Sequence, residues 1–436
     1  MIGLGLLLGS SFALFRRARA QTLFTASGGL HLNILLFFGL GGLAYTWSEG
    51  WVQQFDPYYE TVEAMASAGL VLLLGYLVWI ALEFWLNRSK KQVEFKAPRV
   101  DHNSFLLIVA LWLLSIIGRL GSDSDFAQSG VGTILPVVRL FQYPIIALAI
   151  SVTTARRPHT FVLAMIALGI SAYLAFISPW RSDIILLGGA VSLGLILRRR
   201  RLVFSAQFLV ILSLLFLLPF ANEKKMHYEE VVADPLGTFA ETLRATPSER
   251  SDFIIDFWAV RINGLREAAF VTRGLEGGDI SYRYGLTYWE AAQQLVPRAL
   301  WPSKPSFNQT TNYYLARQIG LLSWVDDHTS WGVNFFAEAI WNVGLWGLFL
   351  FVPILFFFIN GLDKFVQKRV KREILRWLAQ GALFFMFIDS VGLVNMATYL
   401  LWILVLVLLI ERLMGSIPVL REARHPRLLF PRGIRP

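Results

Sequence analysis

The chain is predicted to be an all-α polytopic membrane protein, and three observations predict it. Hydrophobic residues make up 55% of the 436 residues and charged residues only 16%, with a mean hydropathy of +0.53, a balance outside that of soluble domains. Apolar runs recur at roughly the 20 residues that a helix needs to cross a hydrocarbon core. The runs are continuous, unlike the alternating pattern of lipid-facing barrel strands. In lipid the backbone must bond to itself, so such runs become helices.

Eleven spans are expected, near 1–15, 29–47, 62–86, 103–120, 131–151, 160–178, 183–197, 202–221, 335–359, 377–393 and 396–413. The first stays a span although Ala18-Arg19-Ala20 resembles a signal-peptidase site, because its basic residues follow the apolar run instead of preceding it. The organisation is then eight helices over 1–221, one polar insertion over 222–334, three helices over 335–413 and a basic tail over 414–436.

Lysine and arginine set the orientation. Alternate short loops hold Arg16, Arg17 and Arg19; Arg88, Lys90, Lys91, Lys96 and Arg99; Arg156 and Arg157; Arg198 to Arg201; and Lys364, Lys368, Arg369, Lys371, Arg372 and Arg376. The intervening ones hold Glu49, Asp56 and Glu60, or Asp123 and Asp125, with Arg181 as their only basic residue. The positive-inside bias puts the first set in the cytoplasm. The N-terminus and the 222–334 loop are then extracytoplasmic and the C-terminus cytoplasmic.

This topology excludes several functions. The formal charge is +10, but 26 of the 40 basic residues lie on the cytoplasmic side, where topology and anionic lipid account for them, so no nucleic-acid partner is expected. The long loop holds 11 Lys/Arg against 14 Asp/Glu. Placed outside, it has no ready access to ATP or nucleotide sugars. Absence of cysteine removes disulfides and thiolate chemistry.

Charges at the outer ends of spans are the first candidate site residues, since a charge in the bilayer is costly unless paired or hydrated. Arg119 ends the fourth span, Arg139 lies inside the fifth, and Arg181 opens the seventh in Ser178-Pro179-Trp180-Arg181-Ser182-Asp183. Two readings stand for them: snorkelling or pairing with acids such as Asp183, or convergence on a multiply charged anion, whose geometry the planar guanidinium fork matches.

Within the loop, Phe253 to Arg273 is predicted as an amphipathic helix with Asp252, Asp256, Asn263, Arg266 and Glu267 on its polar side. Arg261 falls on the opposite, apolar face with Ile254, Phe257, Trp258, Leu265 and Ala268, where a guanidinium needs either a structural carboxylate or an anionic ligand. Pro297, Pro302 and Pro305 make 296–305 a turn-rich segment presenting Arg298 and Lys304. Asp326-Asp327-His328 is the loop's one cluster of carboxylates and imidazole, suited to taking a hydroxyl proton. Without a spaced second histidine no metal site is expected there. Glu338 and Asp389 add acids near the outer ends of spans nine and ten.

Residues 261–347 resemble the O-antigen and exopolysaccharide polymerases and their relatives, the O-antigen ligases. The resemblance is carried by Arg261-Ile262-Asn263, Gly285-Leu286-Thr287-Tyr288, Val296-Pro297-Arg298, Trp301-Pro302-Ser303-Lys304-Pro305, and Glu338 through Gly344 and Gly347, with Trp180-Arg181-Ser182 similar to the arginine-bearing span mouth of both groups. His328, followed by Glu338, is similar to the ligases' loop histidine, although the step after it reads His328-Thr329 here instead of His-Asn.

The resemblance implies a GT-C-type glycosyltransferase of the bacterial inner membrane acting on undecaprenyl-diphosphate-linked oligosaccharide, without a cofactor, beside a chain-length regulator and export machinery. Arg181, Arg261 and Arg298 would hold the diphosphate, with Arg139 and Lys304 as helpers. His328 would act as base, with Glu338 or Asp327 behind it. Transfer of the growing glycan onto the next lipid-linked repeat unit is the expected reaction. A ligase, a flippase of lipid-linked sugars and a non-catalytic assembly partner are the alternatives.

Overall fold

The structure, a computed structural model, describes residues 2–19, 24–47, 62–87, 102–122, 135–152, 158–177, 182–198, 264–296, 334–388 and 392–416, with a few isolated positions between them. The chain is an all-helical membrane protein, with no strand among the described residues. The helices are α1 (Ile2–Arg19), α2 (Ala26–Asn33) running through a π-helical stretch (Ile34–Leu40) into α3 (Gly41–Trp47), α4 (Val62–Asn87), α5 (His102–Ser122), α6 (Leu135–Arg139), α7 (Gln142–Val152), α8 (Pro158–Ile177) and α9 (Ser182–Arg198). After the insertion's first part come α10 (Gly264–Glu276), α11 (Leu286–Gln294), α12 (Phe335–Arg369), α13 (Glu373–Ile388) and α14 (Leu393–Ser416).

Four helices are long and apolar enough to cross a membrane, at Ala26–Tyr45, Glu63–Trp85, Phe335–Arg369 and Met396–Gly415. Shorter apolar helices lie at Ser104–Leu120, Val137–Ser151, Met165–Ala175 and Leu186–Arg198. Helix occupies every predicted span within the described residues; 202–221 lies outside them. Two spans differ in form. The stretch 131–151 is broken at Leu140–Phe141, because Pro144 lacks an N–H and its ring would meet the carbonyl of Leu140 in a continuous helix. The helix predicted over 335–359 continues to Arg369.

Exposed apolar stripes mark the lipid-facing sides. Leu70, Leu74, Leu77 and Trp85 line one face of α4, and Val343, Trp346, Leu350, Ile354 and Phe357 one face of α12, at the three- and four-residue steps of a helical face. By contrast α13 is buried on all sides from Trp377 to Ile388, as expected of a helix at the centre of a bundle. It packs parallel to α2, Phe24 meeting Trp377 at 4.5 Å and Asn33 donating to the Ile388 carbonyl at 3.2 Å.

Contacts fix the alternation of the helices. At one end, Gly3 of α1 packs on Leu43, Leu265 of α10 touches the backbones at Gly42 and Gly69, and Phe38 packs edge-on against Phe336 of α12 at 5.0 Å. At the other end Arg17, Ser27, Glu83 and Asp363 meet. So α1, α4 and α12 run opposite to α2–α3, and α10 of the polar insertion is wedged against α4 and α12.

That wedge corrects one prediction. The described helix runs from Gly264 to Glu276, while 253–263 lies outside the described residues. Leu265 and Ala268 are buried as their face predicts, but Arg266, assigned to the polar side, is buried too, its guanidinium 4.8 Å over the Phe270 ring. Contact on two sides leaves this helix without the open polar face of a surface helix.

Candidate functional site

A polar network joins α5, α6, α7 and α9. Asp183 stands in the first turn of α9, where the helix dipole favours a carboxylate. Its Oδ2 accepts from Arg119 at 2.7 Å and its Oδ1 from the Tyr143 hydroxyl at 2.7 Å. Arg119 also donates to the Leu174 carbonyl at 2.8 Å and to Gln142 Oε1 at 3.3 Å. Of the two readings of Arg119, pairing is therefore what the structure contains. Arg139, 8% exposed, ends α6 at the helix break with a guanidinium nitrogen 4.0 Å from the same Asp183 carboxylate. The break places Arg139 and Gln142 together in this network.

A second site forms where the insertion meets α12. Asn334 caps that helix, its Oδ1 accepting from Phe336 N and Ala337 N, both at 3.0 Å. Its amide donates to Glu267 at 2.6 Å and to the Gly264 carbonyl at 3.1 Å, which ties α10 to the helix start. One turn on, the Glu338 side chain is fully buried. The helix then breaks at Gly344, whose φ of 76° and ψ of −173° are not helical and suit only glycine without strain.

The break frees carbonyls that the insertion caps. Arg283 N donates to the Trp341 carbonyl and Tyr284 N to that of Asn342, each at 3.1 Å, while Gly285 N donates to Asn342 Oδ1 at 2.8 Å. The Asn342 amide reaches Thr287 Oγ1 at 2.6 Å, and Trp341 Nε1 the Ser281 carbonyl at 3.0 Å. Tyr288, stacked on Phe351, then lies near Glu338; burial, followed by that carboxylate's charge, pushes its phenol well above the ordinary tyrosine value. This site can hold a buried carboxylate beside a rigid, hydrogen-bonded turn.

Of the predicted site residues, Glu338 and Arg139 lie within the described residues, in these two clusters. His328, Asp327, Arg181, Arg261, Arg298 and Lys304 lie outside them, as does Asp389.

A third cluster was not anticipated. Arg17, assigned to a cytoplasmic loop, is buried at 7% exposure near the end of α1, paired with Glu83 and donating to Ser27 Oγ at 2.7 Å and Thr25 Oγ1 at 3.3 Å. It is buried because α2, α4 and α12 surround it. His31 Nδ1 is 2.6 Å from the Tyr76 hydroxyl, and its Nε2 is 3.5 Å from Glu83. Asp363 accepts from Ala26 N at 3.0 Å and Ser27 N at 3.2 Å, capping α2. The signal available in the sequence was three ionisable residues, His31, Glu83 and Asp363, inside or at the end of apolar runs.

No family model, characterised protein or solved structure matches the chain.

Proposed function

We propose that this protein is a polysaccharide polymerase of the bacterial inner membrane, with eleven spans and a GT-C-type architecture, that transfers a growing glycan from undecaprenyl diphosphate to a hydroxyl of the next lipid-linked repeat unit. The observation that carries the reading is Glu338, a carboxylate fully buried where the polar insertion folds onto the helix bundle. An acid held there suits work on a hydroxyl nucleophile or support of the base that does it. Arg139, beside Asp183, supplies buried positive charge of the kind a diphosphate needs.

In this reading Arg181, Arg261 and Arg298 bind the diphosphate, helped by Arg139 and Lys304. As the glycosyl bond to phosphate breaks, the bonding electrons leave with the diphosphate, whose charge the arginines stabilise. His328, with Glu338 or Asp327 behind it, takes the proton of the attacking hydroxyl. The test is incubation of purified protein with undecaprenyl-diphosphate repeat units, without nucleotide or metal, and separation of the products on a gel. A ladder is expected, and it should vanish in Arg181→Ala and Arg298→Ala proteins that still fold. Normal chain lengths in both variants would overturn the assignment.

One observation favours a second reading, transport of lipid-linked oligosaccharide: the buried Arg17, Glu83, His31, Tyr76 and Asp363 cluster on the side assigned to the cytoplasm. Movement of the repeat unit across a liposome membrane without a ladder would select it. If the repeats are neither elongated nor moved, a ligase awaiting a different acceptor becomes the reading to test.

A further inference from the structure

The turn capping the broken helix has an unusual residue at its tip. Tyr284 has φ 47° and the next residue, Gly285, φ 89°, so two consecutive residues occupy the left-handed region. Glycine takes that region at little cost, whereas a residue with a Cβ does not. Packing does not explain the tyrosine, since Tyr284 is 82% exposed. Within 283–286 the turn's hydrogen bonds use backbone atoms alone, the N–H groups of 283, 284 and 285 donating to Trp341 and Asn342 and Leu286 N to the Arg283 carbonyl, so glycine or asparagine would serve them at lower strain.

Tyr284 is accompanied by other exposed aromatics. Its ring lies 5.9 Å from that of Tyr282, and Trp289, 62% exposed, follows one turn into α11. The neighbouring tip 276–279 is exposed and carries Glu276 and Asp279. Arg283 is turned inward, 4.9 Å over the Trp341 ring. Tyrosine and tryptophan also collect at membrane–water interfaces, and the Tyr282 ring packs beside Gly344. Exposed aromatic rings, with exposed acids at 276 and 279 a few residues earlier in the chain, suit a hydroxyl-rich ligand with an apolar ring face.

We propose that Tyr282 and Tyr284 form a glycan-binding platform: the tyrosine faces stack on the C–H face of a sugar ring in the oligosaccharide, while Glu276 and Asp279 accept from its hydroxyls. The ligand class rests on the glycan-transfer reading above; the site itself rests on the strained, exposed turn. The platform stands on the turn bonded to Asn342, one helical turn on from the buried Glu338, so its work is positioning the acceptor or donor chain.

The test uses full-length protein in detergent and, as probe, the oligosaccharide released by mild acid from the producing cell's undecaprenyl-diphosphate repeat units. Calorimetric titration should show binding by the unaltered protein and by Tyr284→Phe, and about tenfold weaker binding by Tyr284→Gly, the loss of one stacked ring. Tyr284→Gly should melt at or above the unaltered protein's temperature, because the strain is relieved. A merely structural tyrosine would lower both together. No binding by the unaltered protein, or equal binding by Tyr284→Gly, overturns the platform.

A nitroxide on Tyr284→Cys, the sole thiol in a chain without cysteine, separates the platform from a membrane anchor. Collision with an aqueous nickel complex supports it, and burial among lipid chains overturns it. The two proposals fail separately. Oligosaccharide binding without any ladder leaves the platform standing and removes the polymerase; a ladder with unchanged binding and KM in Tyr284→Gly does the reverse.

Discussion

Asp183 shows what a single buried charge controls. It accepts from Arg119 and Tyr143 and lies within 4.0 Å of Arg139, so four helices depend on one carboxylate. Removing one partner of a buried ion pair leaves the other desolvated, at a cost of about 3–5 kcal/mol. Asp183→Ala should therefore lower thermal stability in detergent far more than Tyr143→Phe, which loses one hydrogen bond worth about 1 kcal/mol. Equal melting temperatures would mean that water replaces the carboxylate. Glu338→Gln keeps the shape of its site but removes the charge, and should slow elongation while leaving the melting temperature within a few degrees.

At the level of elements, the bilayer decided what the sequence disclosed. A run of apolar residues long enough to span leaves the backbone one option, so helices appear wherever those runs fall among the described residues. Breaks depend on smaller signals. Pro144 announces the interruption at Leu140–Phe141, but nothing in the apolar pattern marks the non-helical Gly344, whose conformation depends on the turn bonded to Trp341 and Asn342. Arg17 and Arg266 were misplaced for a related reason: a helical charge is buried or exposed according to which helices surround it, and those are set by tertiary contacts far along the chain.

Helix contacts also give a ranked prediction. A Cβ at Gly29 would lie 2.3 Å from the Phe384 carbonyl oxygen, at the crossing of α2 and α13. At Gly344 the nearest atom would be 3.4 Å away, leaving mainly the backbone penalty. Gly29→Ala should thus cost about 3 kcal/mol or more by overpacking, and Gly344→Ala about 1–3 kcal/mol. Melting curves that reverse this order would contradict the parallel packing of α2 on α13.

Across the whole molecule, buried polar groups fall into separate clusters, and each can be disabled alone. Under the polymerase reading, Glu83→Gln weakens the packing of α1 against α4 but leaves product length unchanged in lipid-linked repeat assays. Under the transport reading the same substitution stops translocation across liposomes. The two candidate sites were only partly legible: Glu338 could be singled out as an acid near a span end and Arg139 as a cation within a span, but their neighbours Tyr288 and Asp183 come beside them through tertiary packing that no spacing in the chain encodes.

The Asp363 cap on α2 also constrains how the protein is made. The N–H groups of Ala26 and Ser27 find this acceptor 337 and 336 residues later in the chain. A ribosome delivers the early helices long before α12, so the young N-terminal hairpin must wait with an open polar end, a state that lipid penalises. Nascent chains stalled before residue 363 should accordingly remain with insertion chaperones or be taken by membrane proteases. Chains released after it should become resistant in a single step.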